Sequence, residues 1–321
     1  MKEKNLSLEF VKFFAVILVA NHWMAPLYVK WEGLSTGGSI GDVLFFFASG
    51  YTLFLGRFGR FDNWYKRRIR RIYPSIIAFA IILSYAGIRQ LPMSEIVRGG
   101  GLWFIKCIML YYIVLYFVRK YADNRPLIPF LISIGVVMVW YLFEDTSKLF
   151  MYGATYFKWG HYFLFMLLGA YLGNKTITLK SKPLFDGIML LLMLALFYGI
   201  QILAGRYEIV AHMQILTLLP LMGIVVCIYK LCSVTAVDKM LRTRFGLCLR
   251  FVAGLCLEIY VVSGIVIKHM AGALTEYFPL NLLVTFLIIV AMAYLTRCLA
   301  RIFLQIFERE DMDWKAVVKA V

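Results

Sequence analysis

The chain carries little charge for its length. Only 16% of its 321 residues are Asp, Glu, Lys or Arg, against roughly a quarter in a soluble domain. It also lacks any long polar stretch, which excludes a separate soluble domain beside the apolar part. Acids are the scarcer sign, 18 against 34 basic residues. The resulting net charge of +16 would suggest nucleic acid in a soluble protein. With a mean hydropathy of +0.79 it reads instead as Lys and Arg gathered in cytoplasmic loops, and no nucleic-acid partner is expected. The cysteines Cys107, Cys227, Cys232, Cys248, Cys256 and Cys298 lie in or beside apolar runs, with no CxxC and no metal-ligand spacing. They read as reduced packing residues, and no metal is expected. No Ser-His-Asp arrangement, phosphate-cradling glycine loop, internal repeat or low-complexity tract appears.

What the chain has is apolar sequence, 62% of its residues. Runs of about 17–25 apolar residues are candidate membrane spans. Ten are legible, over 10–28, 40–56, 74–91, 101–118, 127–143, 159–173, 184–204, 210–231, 247–267 and 279–303. The expected fold is all-α and polytopic, with about ten transmembrane helices. The first run contains Lys12 and His22 and no small-residue cleavage site follows it, so it reads as a span rather than a signal peptide. Residues 1–306 read as one membrane domain and 307–321 as a short cytoplasmic tail.

The segment Arg57–Pro74 (RFGRFDNWYKRRIRRIYP) orients the rest. It holds Arg57, Arg60, Lys66, Arg67, Arg68, Arg70 and Arg71 against one acid, Asp62. Each cation costs roughly 2.5–3.5 kcal/mol at the centre of a membrane helix, so the segment lies outside the hydrocarbon, and the positive-inside rule places it in the cytoplasm. Ten spans then put both termini inside. Outer segments hold Lys30, Arg89, Arg98, Lys148, Lys158, Arg206 and Lys268, and Lys12 and Lys106 fall near or within spans. The other 25 of the 34 basic residues, from Lys2 and Lys4 to Lys175, Arg309 and Lys319, are inside. Phe58, Phe61, Tyr65, Ile69 and Ile72 recur at helical spacing within the basic segment, as in a helix lying on the inner leaflet. Such a helix binds membrane lipids with anionic headgroups or an anionic cytosolic ligand.

An ionisable residue inside a span is a candidate functional residue. The first span has Glu9, Lys12, Asn21 and His22. Glu9 and Lys12 are three residues apart and can pair on one helix face. Asn21 and His22 lie about 15 Å further along the helix, where a buried imidazole can move a proton. The other candidates are Asp42 and Ser49 in GDVLFFFASGY, Lys106 in the fourth span, His161 beside Trp159, and Glu258 in the ninth span. The plainer alternatives are a helix cap for Asp42 and an interfacial position for His161. Gly99-Gly100-Gly101 reads as a loosened outer loop.

Several phrases in order resemble the membrane acyltransferase 3 family, multi-span proteins that move acyl groups onto carbohydrates and other acceptors. They are LEFVKFFAVILVANH with Glu9, Lys12 and His22, DVLFFFASGY from Asp42, RRIRRIYP from Arg67 to Pro74, LWFIKCIMLYY, FLFMLLGAYLG and LCLEIYVVSG. The likeness covers residues 6–270. Two departures stand out. Nine residues separate Lys12 from His22 where the family has ten, a shift of about 100° around a helix. That spacing calls either for a π-bulge or 3₁₀ turn in the first helix or for Lys12 to pair with Glu9. Ser263 stands where many members have a late histidine.

The resemblance implies an O-acyltransferase of a bacterial cytoplasmic membrane. Acetyl-CoA or another acyl-CoA would be the donor, its phosphates held by Arg67, Arg68 and Arg71 with Tyr73 beside them. His22 would be the general base, assisted by Glu9, Lys12 and Asn21. Asn21, Lys106 and Ser49 are candidate donors to the carbonyl oxygen. The acceptor would be an envelope polysaccharide or a lipid-linked sugar. The competing readings are a translocase using the same polar residues as a path, and a degenerate receptor of the same fold. The charge asymmetry makes one prediction testable at once. Reporters fused after Lys30 and Arg206 should report the outer side and one after Val321 the cytoplasm. An outer Val321 would overturn the ten-span layout.

Overall fold

The computed structural model describes residues 5–319 apart from 57, 89, 101, 124, 126, 148–149, 154, 174–178, 275–276 and 307–311. Lys2, Lys4, Arg57, Arg89, Gly101, Lys148, Lys175, Arg309 and part of the expected tail lie outside the described residues. The described elements are helical. They are α1 (Leu6–Trp23), α2 (Gly38–Leu55), α3 (Phe61–Tyr85), α4 (Met93–Val97), α5 (Trp103–Ala122), α6 (Leu127–Tyr141), α7 (Phe157–Gly173) and α8 (Pro183–Ala204). Then follow α9 (Glu208–Ala211), α10 (Leu218–Cys232), α11 (Thr235–Leu241), α12 (Arg244–Gly254), α13 (Cys256–Leu274), α14 (Leu280–Ile306) and α15 (Trp314–Val318). Single 3₁₀ turns occupy Ala25–Leu27, Glu32–Leu34 and Gln214–Thr217.

Five segments are long and apolar enough to cross a membrane: Leu6–Trp23, Glu32–Leu55, Pro183–Ala204, Gln214–Cys232 and Leu280–Ile306. The pair Arg244–Gly254 and Cys256–Ala271 makes a sixth if its 69° bend lies within one span. Leu127–Tyr141 is a shorter apolar helix. The protein is therefore an all-helical, polytopic integral membrane protein. Each of the ten apolar runs is represented by helix, but α3 and α5 carry more charge and α7 is 17 residues long.

The ninth run is helical but broken at Leu255, between α12 and α13. One expectation is corrected. The basic segment is not a separate helix lying on the membrane. It is the first half of the continuous α3, which passes through Pro74; the proline has no N–H to give the carbonyl of Arg70. Phe58 precedes α3, and Phe61 and Ile69 are exposed. The buried stripe is Trp64, Ile72, Ser75, Ile76, Phe79 and Leu83, set by packing against other helices rather than by a lipid surface.

The chain forms two compact units. The first comprises Met1–Ala15, Ser39–Arg57 and Val114–Gly246. Its core is the crossing of α2 and α7, which touch backbone to backbone. A Cβ built on Gly50 would lie 1.9 Å from the Met166 carbonyl oxygen, and one on Gly169 2.0 Å from that of Phe47. One on Gly173 would lie 2.8 Å from that of Tyr51. Glycine at these positions lets the helices approach closely, which is how membrane helices gain packing contact. In the same unit α8 packs on α10, joined by Lys230 to Asp186. Asp186 is 1% exposed and also accepts from the Lys182 N–H and the Ser181 hydroxyl.

The second unit comprises Val16–Gly38, Phe58–Ile113 and Leu247–Val321. Here α14 packs against α13 and α3, and α13 also meets α3 and the 3₁₀ turn Ala25–Leu27. Buried Asn281, at the start of α14, donates to the Leu27 carbonyl at 2.8 Å.

The glycine crossing gives a direct stability test. Gly169→Ala should destabilise the detergent-solubilised protein by about 3 kcal/mol or more, the upper range for overpacking. Gly199→Ala, where a Cβ meets open space on α8, should be neutral or gain about 0.5–1 kcal/mol. Thermal melts of the two variants would check the contrast.

Candidate functional site

His22 stands in the last turn of α1 and is exposed, which corrects the expectation that it is buried. The reason is local: the helix ends at Trp23 and the chain turns into Ala25–Leu27, so His22 is one residue from a helix end. Its ring lies against the backbone of Gly38, where a Cβ would come within 2.5 Å of the imidazole Cδ2. Nδ1 is 3.4 Å from the Ser35 carbonyl oxygen, and the Ser35 hydroxyl donates to the His22 carbonyl at 3.1 Å. A carbonyl only accepts, so this contact favours the tautomer with the proton on Nδ1 and leaves the Nε2 lone pair available.

Asn21 holds the loop that carries Ser35. Its two amide hydrogens go to the carbonyls of Leu34 and Thr36, at 2.9 and 3.0 Å. Its Oδ1 accepts from the Tyr28 hydroxyl. Both donors of Asn21 are thereby spent on the loop.

Trp23, beside His22, packs on Tyr260, with ring centroids 4.9 Å apart, and Tyr260 packs in turn on Phe104 at 4.8 Å. Tyr260 is two residues beyond Glu258, which is buried at the start of α13. Glu258 accepts from the Ser75 hydroxyl at 2.9 Å and from Arg297 Nη2 at 2.6 Å. Arg297 also donates to the carbonyl of Gly254. One guanidinium therefore satisfies the open end of α12 and the acid in the first turn of α13, on either side of the break.

The basic face belongs to the same unit. Arg67 and Arg71 are exposed and one turn apart, hence on one side of α3. Arg68 is half-buried, its guanidinium 3.9 Å over the Trp64 ring and its Nη1 3.2 Å from the Trp64 carbonyl. Trp64 is 0% exposed and donates its indole N–H to the Tyr112 carbonyl at 3.2 Å. Arg68 thus lies on a buried aromatic platform. The Tyr73 hydroxyl donates to the Val97 carbonyl at 2.7 Å. Lys106 is exposed on α5, two residues past Phe104 and so on a different side of the helix.

The remaining candidates lie in the first unit. Lys12 pairs with Glu9 at 3.0 Å, and α1 runs without a π-bulge or 3₁₀ turn. Of the two outcomes that the nine-residue spacing allows, the structure has the pairing. Asp42 lies one turn inside α2 rather than at its cap, because the helix starts at Gly38. Ser49 is half-buried on α2, and its carbonyl accepts from the Thr52 hydroxyl at 3.0 Å. His161 is fully buried, with Nε2 2.8 Å from the Met151 carbonyl and Tyr152, Phe157 and Tyr162 around its ring. The sequence reading did not find Ser35 or Gly38 beside His22, nor Arg297 opposite Glu258. The run Ser35-Thr36-Gly37-Gly38 was a usable signal for the first: Gly37 has φ +97° and Leu18 within 2.7 Å of a built Cβ, so only a small residue fits.

Comparison with family models matches residues 5–298 to Acyl_transf_3, described as an acyltransferase domain. Comparison with curated proteins and with solved structures gives no match.

The pair Glu258–Arg297 makes a quantitative test. Arg297→Met strands a buried carboxylate and should cost about 3–5 kcal/mol, whereas the double variant Glu258→Met/Arg297→Met should cost much less. A double-mutant cycle measured by thermal unfolding would check the coupling.

Proposed function

We propose, on the premise that the chain belongs to the acyltransferase 3 family and is a membrane acyltransferase, that it transfers an acyl group from acyl-CoA. Acetyl is the simplest case, and the acceptor is a hydroxyl of an envelope glycan or lipid-linked sugar. His22 is the general base. The observation that carries this reading is the tie between His22 and Ser35, which orients the imidazole and directs the proton to Nδ1. Nε2 then takes the proton from the acceptor hydroxyl as its oxygen attacks the thioester carbonyl. The new C–O bond forms, the C–S bond breaks, and the leaving CoA thiolate takes the proton back from His22. General base catalysis of this kind contributes roughly 10²–10⁴ in rate.

In this reading Arg67 and Arg71 bind the donor phosphates, since two exposed guanidinium groups on one helix side suit bidentate phosphate contacts. Arg68 keeps that helix side in place through Trp64. Asn21 positions the Ser35 loop, and Lys106, in the same unit, is the candidate donor to the developing oxyanion. The Glu9–Lys12 pair anchors the first helix. The termini are cytoplasmic in a bacterial cytoplasmic membrane, so donor arrives from inside and acceptor from outside.

Membranes carrying the protein should incorporate labelled acetyl from acetyl-CoA into envelope glycan. His22→Ala should lower incorporation by 10²-fold or more while CoA binding persists, and His22→Asn should not restore it. Arg67→Gln/Arg71→Gln should weaken CoA binding instead. Equal incorporation by His22→Ala would remove His22 from the mechanism. No incorporation by the unaltered protein would favour a translocase or a receptor.

A further inference from the structure

The segment between α3 and α5 was expected on the outer side, with Arg98 among the outer charges. Its contacts within the second unit point elsewhere. The Tyr73 hydroxyl donates to the Val97 carbonyl at 2.7 Å. Tyr73 is two residues past Arg71 and seven past Lys66, about 3 and 10 Å along the helix. Tyr85, where α3 ends, is twelve residues beyond Tyr73, about 18 Å in the other direction. The chain therefore leaves α3 at its far end and comes back to the depth of the basic cluster. The reversal begins where α3 ends, with the Gly87 N–H bonding the Ser84 carbonyl at 3.1 Å and the Ile88 N–H that of Leu83 at 3.0 Å.

The return is closed by a built turn. After α4, the Gly99 N–H bonds the Ile96 carbonyl at 3.0 Å and the Gly100 N–H bonds that of Glu95 at 2.8 Å. With φ +84° and +66°, this is a helix stop that needs glycine. A Cβ on Gly99 would lie 2.8 Å from the Ile105 side chain, and one on Gly100 3.2 Å from that of Ile76. The turn thus sits against both neighbouring helices. A second tie, the Trp64 indole N–H to the Tyr112 carbonyl, continues the pairing. Ile76 meets Gly100 and Trp64 meets Tyr112, so the first half of α5 runs beside the basic half of α3. Arg98 is exposed and sits one residue from the Tyr73 tie.

We infer that Met93–Gly100 is a re-entrant segment on the cytoplasmic-facing side of α3, and that Arg98 joins Arg67 and Arg71 in binding the phosphates of the acyl donor. The contacts set the depth of the segment beside the basic cluster, its sidedness follows from the cytoplasmic reading of that cluster, and the phosphate role rests on the donor-site reading given above. Arg98 brings a further guanidinium to the side of α3 that carries Arg67 and Arg71, and planar guanidinium groups suit bidentate phosphate contacts.

Cysteine labelling tests the sidedness without any assay of transfer. Arg98→Cys should react with a membrane-impermeant maleimide in inverted vesicles but not in intact cells, over the background of the parent chain. It should match Arg60→Cys and oppose Trp31→Cys. Saturating CoA should slow the reaction at least fivefold. Separately, Arg98→Gln should raise the Kd for CoA about tenfold, as expected for one charged contact, with Arg98→Lys intermediate. Reaction in intact cells, or no reaction from either side, overturns the inference. Cytoplasmic reaction without CoA protection, together with an unchanged Kd, overturns the phosphate role. Failure of the transfer reading leaves the labelling test standing, since its readout needs no acyl transfer, and His22→Ala should give the same labelling pattern.

Discussion

A charge in hydrocarbon must either be paired or reach water. Unpaired, it costs several kcal/mol, and this chain has enough cations for that cost to shape its helices. Glu258 is neutralised by Arg297 and bonded by Ser75. Asp186 is neutralised by Lys230 and bonded by two further donors. Lys12 is neutralised by Glu9. The cations Lys66 to Arg71 are gathered on one half of α3. The break at Leu255 belongs to the same constraint. A helix interrupted at membrane depth exposes backbone carbonyls and amides, which are tolerated only when protein satisfies them. Arg297 does this at Gly254 while holding Glu258 in the next helix.

Close packing meets a second demand. Membrane helices gain no hydrophobic driving force from association, so they rely on contact between backbones. Gly50, Gly169 and Gly173 supply it between α2 and α7, where any side chain would collide with a carbonyl. The same device works near His22 for a different purpose. Gly37 and Gly38 let the loop after α1 fold back over Leu18 and the imidazole. The loop then presents the Ser35 carbonyl to Nδ1, and Asn21 fastens it with both amide hydrogens. A helix end, two glycines and an asparagine together give the histidine a fixed environment although it is exposed.

Much of the architecture was legible in the chain. Apolar runs mark helices because backbone polar groups in lipid must bond within their own segment. The order of short phrases around Glu9, His22, Asp42, Arg67–Pro74 and Glu258 was sufficient to indicate the family that the comparison of residues 5–298 established. The Glu9–Lys12 pair was legible too, since three residues is one helical turn and the partners need no tertiary help.

Composition and spacing thus determined the fold class and the local pairs, and the resemblance of short phrases indicated the family; all of these depend on neighbours in sequence. Tertiary structure decided what depends on distant partners. Arg297 meets Glu258 across 39 positions and Ser75 meets it across 183, and no periodicity encodes such a meeting. The exposure of His22, the burial of His161, the break at Leu255 and the return of Val97 to Tyr73 are of the same kind. Each follows from which helices pack together, and hydropathy is blind to that because it weighs each residue against the solvent and never against another helix.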